Sequence, residues 1–261
     1  MLRTLIVGAG VGAGVGVFIA ASASAQSVTS WTATSGIEQF ALTDIARGKP
    51  PVDASPVAWQ GSGPMFNIAR TRRSGPRVHR LEFVLADTND FSYRSKLREF
   101  AADPDDSALH LEGRYEYHRD VLTRQMPAWL RTSIGVRGSG TWLSMTQHVP
   151  PVNDISKSST DACGAFVVAA TLAPEQRLSL DVNYANGLRI GRVSPHGSGV
   201  DETHAVGGGW TTDLALTGRV RLTPRYAIAV RFFDRGDGIE SSHRSFTTSQ
   251  RQFSVGVIHA K

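Results

Sequence analysis

Cysteine is almost absent. The chain has one, Cys163, in 261 residues. No disulfide can form within it, so an exported form has to draw stability from a core, a hydrogen-bonded sheet or a bilayer. Free cysteine is commonly buried and inert, and Cys163 is expected to be a packed side chain. Beyond the N-terminal stretch no apolar run approaches the ~20 residues that a membrane-spanning helix needs. His-Glu-x-x-His and Gly-x-Ser-x-Gly are both missing, so two common hydrolase signatures have no place here. The sequence gives no reason to expect a metal or a cofactor.

The N-terminal stretch has two readings. Gly8-Ala9-Gly10-Val11-Gly12-Ala13 fits the glycine fingerprint of a dinucleotide site. That site also needs a helix, and an acid about 20 residues on. Here glycines alternate through Gly16, which is poor for a helix, and no acid precedes Glu38. Export fits better. Arg3 supplies the positive start, Thr4 to Ala20 are apolar or small, and Ala23-Ser24-Ala25 gives the small-x-small pattern before a cleavage point at Gln26. The reading is a signal peptide over 1–25 and a single mature domain over 26–261. Lys and Arg outnumber Asp and Glu by 28 to 23, a net charge of +5. In an exported protein that excess suits anionic lipid or solvent rather than nucleic acid.

The mature chain alternates. Trp210, Thr212, Leu214, Leu216, Gly218, Val220 and Leu222 share one face of a strand, and Thr211, Asp213, Ala215, Thr217, Arg219 and Arg221 share the other. Leu178–Ile190 repeats the pattern. Over Leu109–His118 it places Leu109, Leu111, Gly113, Tyr115 and Tyr117 opposite His110, Glu112, Arg114, Glu116 and His118. Weaker strands are predicted over Phe66–Thr71, Val78–Leu85, Leu130–Arg137, Gly164–Leu172, Tyr226–Phe233 and Gln252–His259, with a first strand over Ile37–Ile45. That makes ten strands, with eight or twelve as the alternatives. Arg72–Arg77, Thr123–Ala128, Ala173–Gln176 and Thr223–Arg225 are short turns. Arg47–Gly63, Ala86–Ser107, Thr146–Ala162, Gly191–Gly207 and Asp234–Gln250 are long connections. In the second of these, "SKLREFAAD" from Ser95 suits a short capped helix.

A soluble barrel would bury the apolar faces, whereas a membrane barrel turns them to lipid and gathers charge around the axis. Alternation over ten or more residues matches the ~9–11 residues a tilted strand needs to cross a bilayer. Tyr115, Tyr117, Trp129, Trp210, Tyr226 and Phe253 near strand ends suit an aromatic girdle. In these features the chain resembles the outer-membrane β-barrel proteins of Gram-negative bacteria. The resemblance implies an all-β, antiparallel up-and-down transmembrane barrel with short periplasmic turns and long outer loops. Its expected partners are outer-membrane lipid, the barrel insertion machinery, and a small solute or surface partner. The last strand of such proteins carries an insertion signal. The end of this chain keeps that signal's polar residue and glycine, at Ser254 and Gly256, and departs from it at His259 and Lys261.

This orientation predicts a lumen-facing charged network of Arg80, Glu82, His110, Glu112, Arg114, Glu116, His118, Arg131, Arg137, Asp181, Arg189, Asp213, Arg219, Arg221 and Arg231. The network is either a salt-bridged plug or an Arg-lined, anion-preferring channel. His110 and His118 lie ~27 Å apart along one strand at ~3.4 Å per residue, too far to share a metal. Two other functions stand beside a structural, surface-interaction or narrow-pore role. One is a soluble exported barrel binding a lipid-like ligand. The other is an outer-rim hydrolase. The omptins, ten-stranded outer-membrane proteases, use acidic and Asp-x-His pairs there. Asp87-Thr88-Asn89-Asp90 and Asp201-Glu202-Thr203-His204 are the nearest counterparts, each with two residues between the pair. Arg70, Arg72, Arg73 and Arg77 are expected to meet inner-leaflet phosphates or solvent.

The lipid-facing assignment makes a direct prediction. Leu216→Arg places a charge near mid-bilayer at a cost of about 2–4 kcal/mol, and loss of heat-modifiable migration in detergent is the expected readout.

Overall fold

The computed structural model describes residues 27–46, 57–94, 99–100, 106–121, 125–149, 152–196, 205–242 and 244–261. The signal peptide expected over 1–25 lies outside the described residues, as does the tetrad Asp201–His204.

Ten antiparallel strands form one closed sheet, and no helix occurs among the described residues. In chain order they are β1 (Ser27–Ala46), β2 (Val57–Ser74), β3 (Arg77–Thr88), β4 (Ser107–Val121), β5 (Leu130–Val149), β6 (Val152–Leu172), β7 (Leu178–His196), β8 (Ala205–Arg221), β9 (Tyr226–Glu240) and β10 (Arg244–Ala260). Each strand pairs with its sequence neighbours, and β1 closes the ring by pairing with both β2 and β10. Closure leaves none of the ten without a partner on either side, which is what a barrel in a water-free medium requires.

Two sets of glycines serve the geometry. Gly75 opens the tight β2–β3 turn at φ 57°, a conformation only glycine adopts without strain. At the β1–β10 seam, a Cβ on Gly36 would stand 1.9 Å from the carbonyl oxygen of Phe253, and one on Gly256 would stand 1.9 Å from that of Ala33. These inner-face glycines let the first and last strands bend together.

The strands run further than the alternation alone indicates. β5 and β6 continue through most of Thr146–Ala162, β7 and β8 extend into Gly191–Gly207, and β9 and β10 take up most of Asp234–Gln250. β2 begins at Val57, inside the long connection expected over Arg47–Gly63. β3 is continued by Asp90–Arg94 after a one-residue slip at Asn89, where Ser62 faces Asp90 although Met65 faces Ala86. The helix expected from Ser95 is corrected in part, because Glu99 and Phe100 pair as strand with Arg94 and Tyr93. There the backbone folds back on itself and finds its hydrogen bonds in the preceding strand.

Strand length explains the extension. A 20-residue strand such as β5 runs roughly 66 Å at ~3.3 Å per residue. Tilted by about 40°, it rises about 50 Å, twice the ~25 Å apolar band of a membrane barrel. Within the band the outer face is apolar: Ile37 on β1, Ile134 and Val136 on β5, Ile228, Val230 and Phe232 on β9, Phe253 and Val255 on β10. Nearer the long connections the phase inverts. The outer face becomes Gln39, Ser144, Thr247 and Arg251, while Phe40, Leu42, Leu143, Met145, Ile239 and Phe246 turn inward and are buried. Ile37 is 59% exposed and Phe40 2%. Three residues separate a lipid-type surface from a protein core, and the strand pairs without interruption across the change.

For a membrane barrel the inversion falls where hydrocarbon would give way to water. Ile37→Arg is expected to block insertion into lipid vesicles, and Gln39→Arg, two residues further along the same outer face, to leave it unchanged. Vesicle co-flotation with heat-modifiable migration measures both.

Candidate functional site: the sealed lumen

The centre of the barrel is an aromatic ring ringed by cations. Phe233 points inward from β9 and is 0% exposed. Arg114 of β4 lies 4.3 Å from its ring centroid, Arg235 5.1 Å and Arg231 5.4 Å. Guanidinium groups stack favourably on such a face once water is excluded. Each of the three also reaches a carboxylate. Arg114 makes a paired contact with Glu112 at 2.6 Å for both bonds. Arg235 donates to Glu112 at 2.8 Å and to Asp213 at 3.4 Å. Arg231 pairs with Glu82.

Around this hub the remaining charges close in rings. Glu82 also takes Asn67 and, at 3.0 Å, Arg80, with Arg114 3.7 Å away. Glu38 of β1 meets the His110 Nδ1 at 3.2 Å and accepts from Gln252 at 2.5 Å. His110 Nε2 lies 3.8 Å from Glu112. Arg189 binds Asp161 and, at 2.8 Å, Asp237. Toward the turn end, Arg137 joins Glu116 at 2.6 Å, pairs with Asp213, and reaches Asn183 at 3.3 Å. His118 meets Glu116 at 3.0 Å. Asp181 receives Thr171 at 2.8 Å and pairs with Arg219.

A second layer covers this one on the long-connection side. Phe40, Leu42, Trp59, Ala108, Leu143, Met145, Val193, Ile239 and Phe246 form one buried apolar cluster inside the barrel. Its polar member is the pair of Lys157 with Asp44, at 2.5 Å. The Lys157 ammonium sits 3.8 Å from the Trp59 ring. A water-sized sphere barely touches Arg114, His110, Glu38 or Phe233, each 2% exposed or less. At this height these side chains are closed to solvent.

Of the fifteen residues singled out for the lumen, Glu82, His110, Glu112, Arg114, Glu116, His118, Arg137, Arg189, Asp213 and Arg231 are buried around the axis. Arg80 and Asp181 are partly buried at its edge. Arg219 is half exposed. Arg131 and Arg221 stand at the turn-end rim, where Arg131 reaches Glu175 at 3.4 Å and Asp120 at 3.8 Å, and Arg221 donates to the Glu175 carbonyl at 3.4 Å. Sequence reasoning missed Glu38, Asn67, Asp161, Arg235, Asp237 and Gln252. Arg231, Phe233, Arg235, Asp237 and Ile239 keep strict two-residue spacing, a signal that carries β9 past its expected end at Phe233. Cys163 faces inward and packs against Ala165, Val167 and Ala185.

The rim acids are placed differently. Asp87 is exposed on the outer wall while its neighbour Thr88 is buried inside. Among the described residues no group of three His, Cys, Asp or Glu side chains is placed to hold a metal ion.

No protein-family model matches the chain, and no curated relative aligns with it. Solved structures do match. The outer membrane protease OmpT from Escherichia coli superposes with a TM-score of 0.66 at 7% identity, covering 93% of this chain and 99% of that one. Lower similarity is found to OprG of Pseudomonas aeruginosa (TM-score 0.38, 9% identity, 89% and 95% covered). The same holds for the translocator domain of NalP from Neisseria meningitidis (0.38, 10%, 89% and 88%). At such identities the OmpT likeness establishes a shared fold, that of an outer-membrane β-barrel, and nothing finer.

Removing one partner of a buried pair leaves the other charge stranded. Glu82→Gln strands Arg231 and is expected to cost about 3–5 kcal/mol. A lowered urea midpoint for unfolding from detergent micelles, against that of wild type, checks it.

Proposed function

We propose that the protein is a non-conducting barrel of the Gram-negative outer membrane. It would be exported by its N-terminal signal and serve as a rigid anchor whose outer end and long connections meet a surface partner. The observation that carries this reading is the double seal: an ionic layer around Phe233, and above it the apolar cluster around Trp59. Either layer alone would obstruct ions. The ionic layer has fixed carboxylates and guanidiniums already paired with one another, so it offers no free ring of one sign to a permeating ion. The apolar layer resists wetting.

The phase inversion supports the location. A soluble barrel would bury its apolar residues along the whole strand. Here the large buried apolar cluster lies toward the long connections, and elsewhere Phe166, Leu188, Leu178 and Ile190 are more than half exposed. A surface of that extent is stable against hydrocarbon and prone to aggregate in water. The short-turn end, which holds both Ser27 and Lys261, would then face the periplasm, and the stem above the band would lift the loops clear of the membrane surface. Such a placement suits recognition by loops on a fixed scaffold.

Planar-bilayer recording tests the seal. Wild type is expected to insert without current steps, and Trp59→Ala with Phe246→Ala to stay silent because the ionic layer persists. Reproducible steps from wild type would overturn the reading.

A further inference from the structure

The outer wall carries two adjoining features that the sealed lumen does not use. The first is a concavity of about 490 Å³ on the apolar band, lined by Phe66, Phe83, Leu111, Gly113, Gly140 and Trp142 among others. Its floor is glycine. A Cβ on Gly113 would meet only the Phe83 ring at 3.6 Å, and one on neighbouring Gly140 only a backbone oxygen at 3.8 Å. Outward-facing Gly138 and Gly164 extend the smooth strip across β5 and β6, again with nothing closer than 4.0 Å.

The second feature lies directly beneath the first, toward the turn end of β2, β3 and β4. Arg70 and Arg72 follow Ile68 on the outer face of β2. Arg77 and His79 precede Leu81 on β3, and Arg119 follows Tyr117 on β4. Register brings them side by side: Arg72 faces His79, His79 faces Tyr117, and Arg77 faces Arg119. Aromatics hold the cluster in shape. Arg70 lies 5.7 Å from the Trp31 ring centroid, and the His79 Nδ1 is 2.8 Å from the Tyr115 hydroxyl. Apart from Asp87 at the far end, the described acids of β1 to β4 face the interior; Asp120, the nearest, is held there by Arg73 at 2.5 Å. On the outer faces of the strands the positive charge is also one-sided, although the exposed Arg177 and Arg225 stand on turns at the same end. At this height the outer-face residues of β5 to β9 are Thr132, Ala170, Leu180, Val220 and Ile228.

We propose that this wall is a binding site for one anionic phospholipid, with the phosphate on Arg70, Arg72, Arg77 and Arg119 and an acyl chain lying up the glycine-floored groove. The inference rests on the membrane-barrel reading. Hydrocarbon is what surrounds the groove in that setting, so an acyl chain is its natural occupant and needs no dehydration to enter. Tail contact therefore adds shape complementarity rather than hydrophobic driving force, and the arginines supply the selection. Arginine forks suit phosphate oxygens, and Tyr115 and Tyr117 sit at headgroup depth as interfacial aromatics do.

The test uses refolded full-length mature protein in micelles, with bound lipid read by native mass spectrometry. Dioleoyl phosphatidylglycerol competes against dioleoyl phosphatidylethanolamine, and heat-modifiable migration confirms the fold of every sample. Wild type is expected to retain one phosphatidylglycerol with a preference of about tenfold, weakened by salt. Arg70→Gln with Arg72→Gln and Arg119→Gln should abolish the preference. Gly113→Leu, which fills the groove, should lower retention of both lipids. Equal retention by folded wild type, or a preference that survives the triple substitution, overturns the site and leaves the barrel intact. Inorganic phosphate displacing the lipid at equal concentration would overturn the acyl-chain half. Failure of wild type to fold in micelles or bilayers overturns the barrel reading, and this proposal with it.

Discussion

The structure depends on one constraint: a continuous hydrogen-bonded cylinder carries two opposite arrangements of side chains, one suited to hydrocarbon and one to water. The backbone does not register the change, because all ten strands keep both neighbours across it. Only the side chains respond. In hydrocarbon the favourable arrangement is apolar outside and charged inside, and in water the reverse. β1 makes the exchange between Ile37 and Phe40, and β9 between Phe232 and Ile239. Neither needs a break, because a strand's two faces are chemically independent.

That exchange also decides what the lumen can be. Charge gathered around the axis in the lower barrel must be neutralised, and the narrow interior leaves little room for water to do it. The solution is mutual: Glu82, Glu112 and Asp213 each meet two or more guanidiniums, and Arg114, Arg231 and Arg235 share the faces of Phe233. Buried pairs of this kind add little net stability over an apolar core, but they tolerate few alternative arrangements. They fix the barrel's cross-section at one height, and the cluster of Phe40, Trp59 and Phe246 fixes it at another. A stem held at two levels is stiff.

The outer wall follows the same logic with a different result. Where most of the band presents bulky side chains, Gly113, Gly138, Gly140 and Gly164 leave a shallow channel, and a concentration of outward arginines stands below it on the neighbouring strands. An even coat of lipid would call for neither. Their conjunction is what distinguishes this side of the barrel from the side formed by β7 to β9.

The amino-acid sequence by itself determined the closed all-β architecture, the facing of the long amphipathic strands and the inner row His110 to His118, because two-residue periodicity is a local property and each strand displays it wherever its outer face meets hydrocarbon. It did not disclose how far the strands run. Above the band Ser, Thr and Gly dominate the outer face, the contrast between faces fades, and Glu38, Arg235 and Asp237 read as loop or unplaced polar residues. Nor did it disclose who pairs with whom. Arg231 and Glu82 lie 149 residues apart, and Arg235 and Glu112 123. Only closure of the cylinder, which brings distant strands to face one another across the axis, decided that these charges meet, and that Phe233 stands between them.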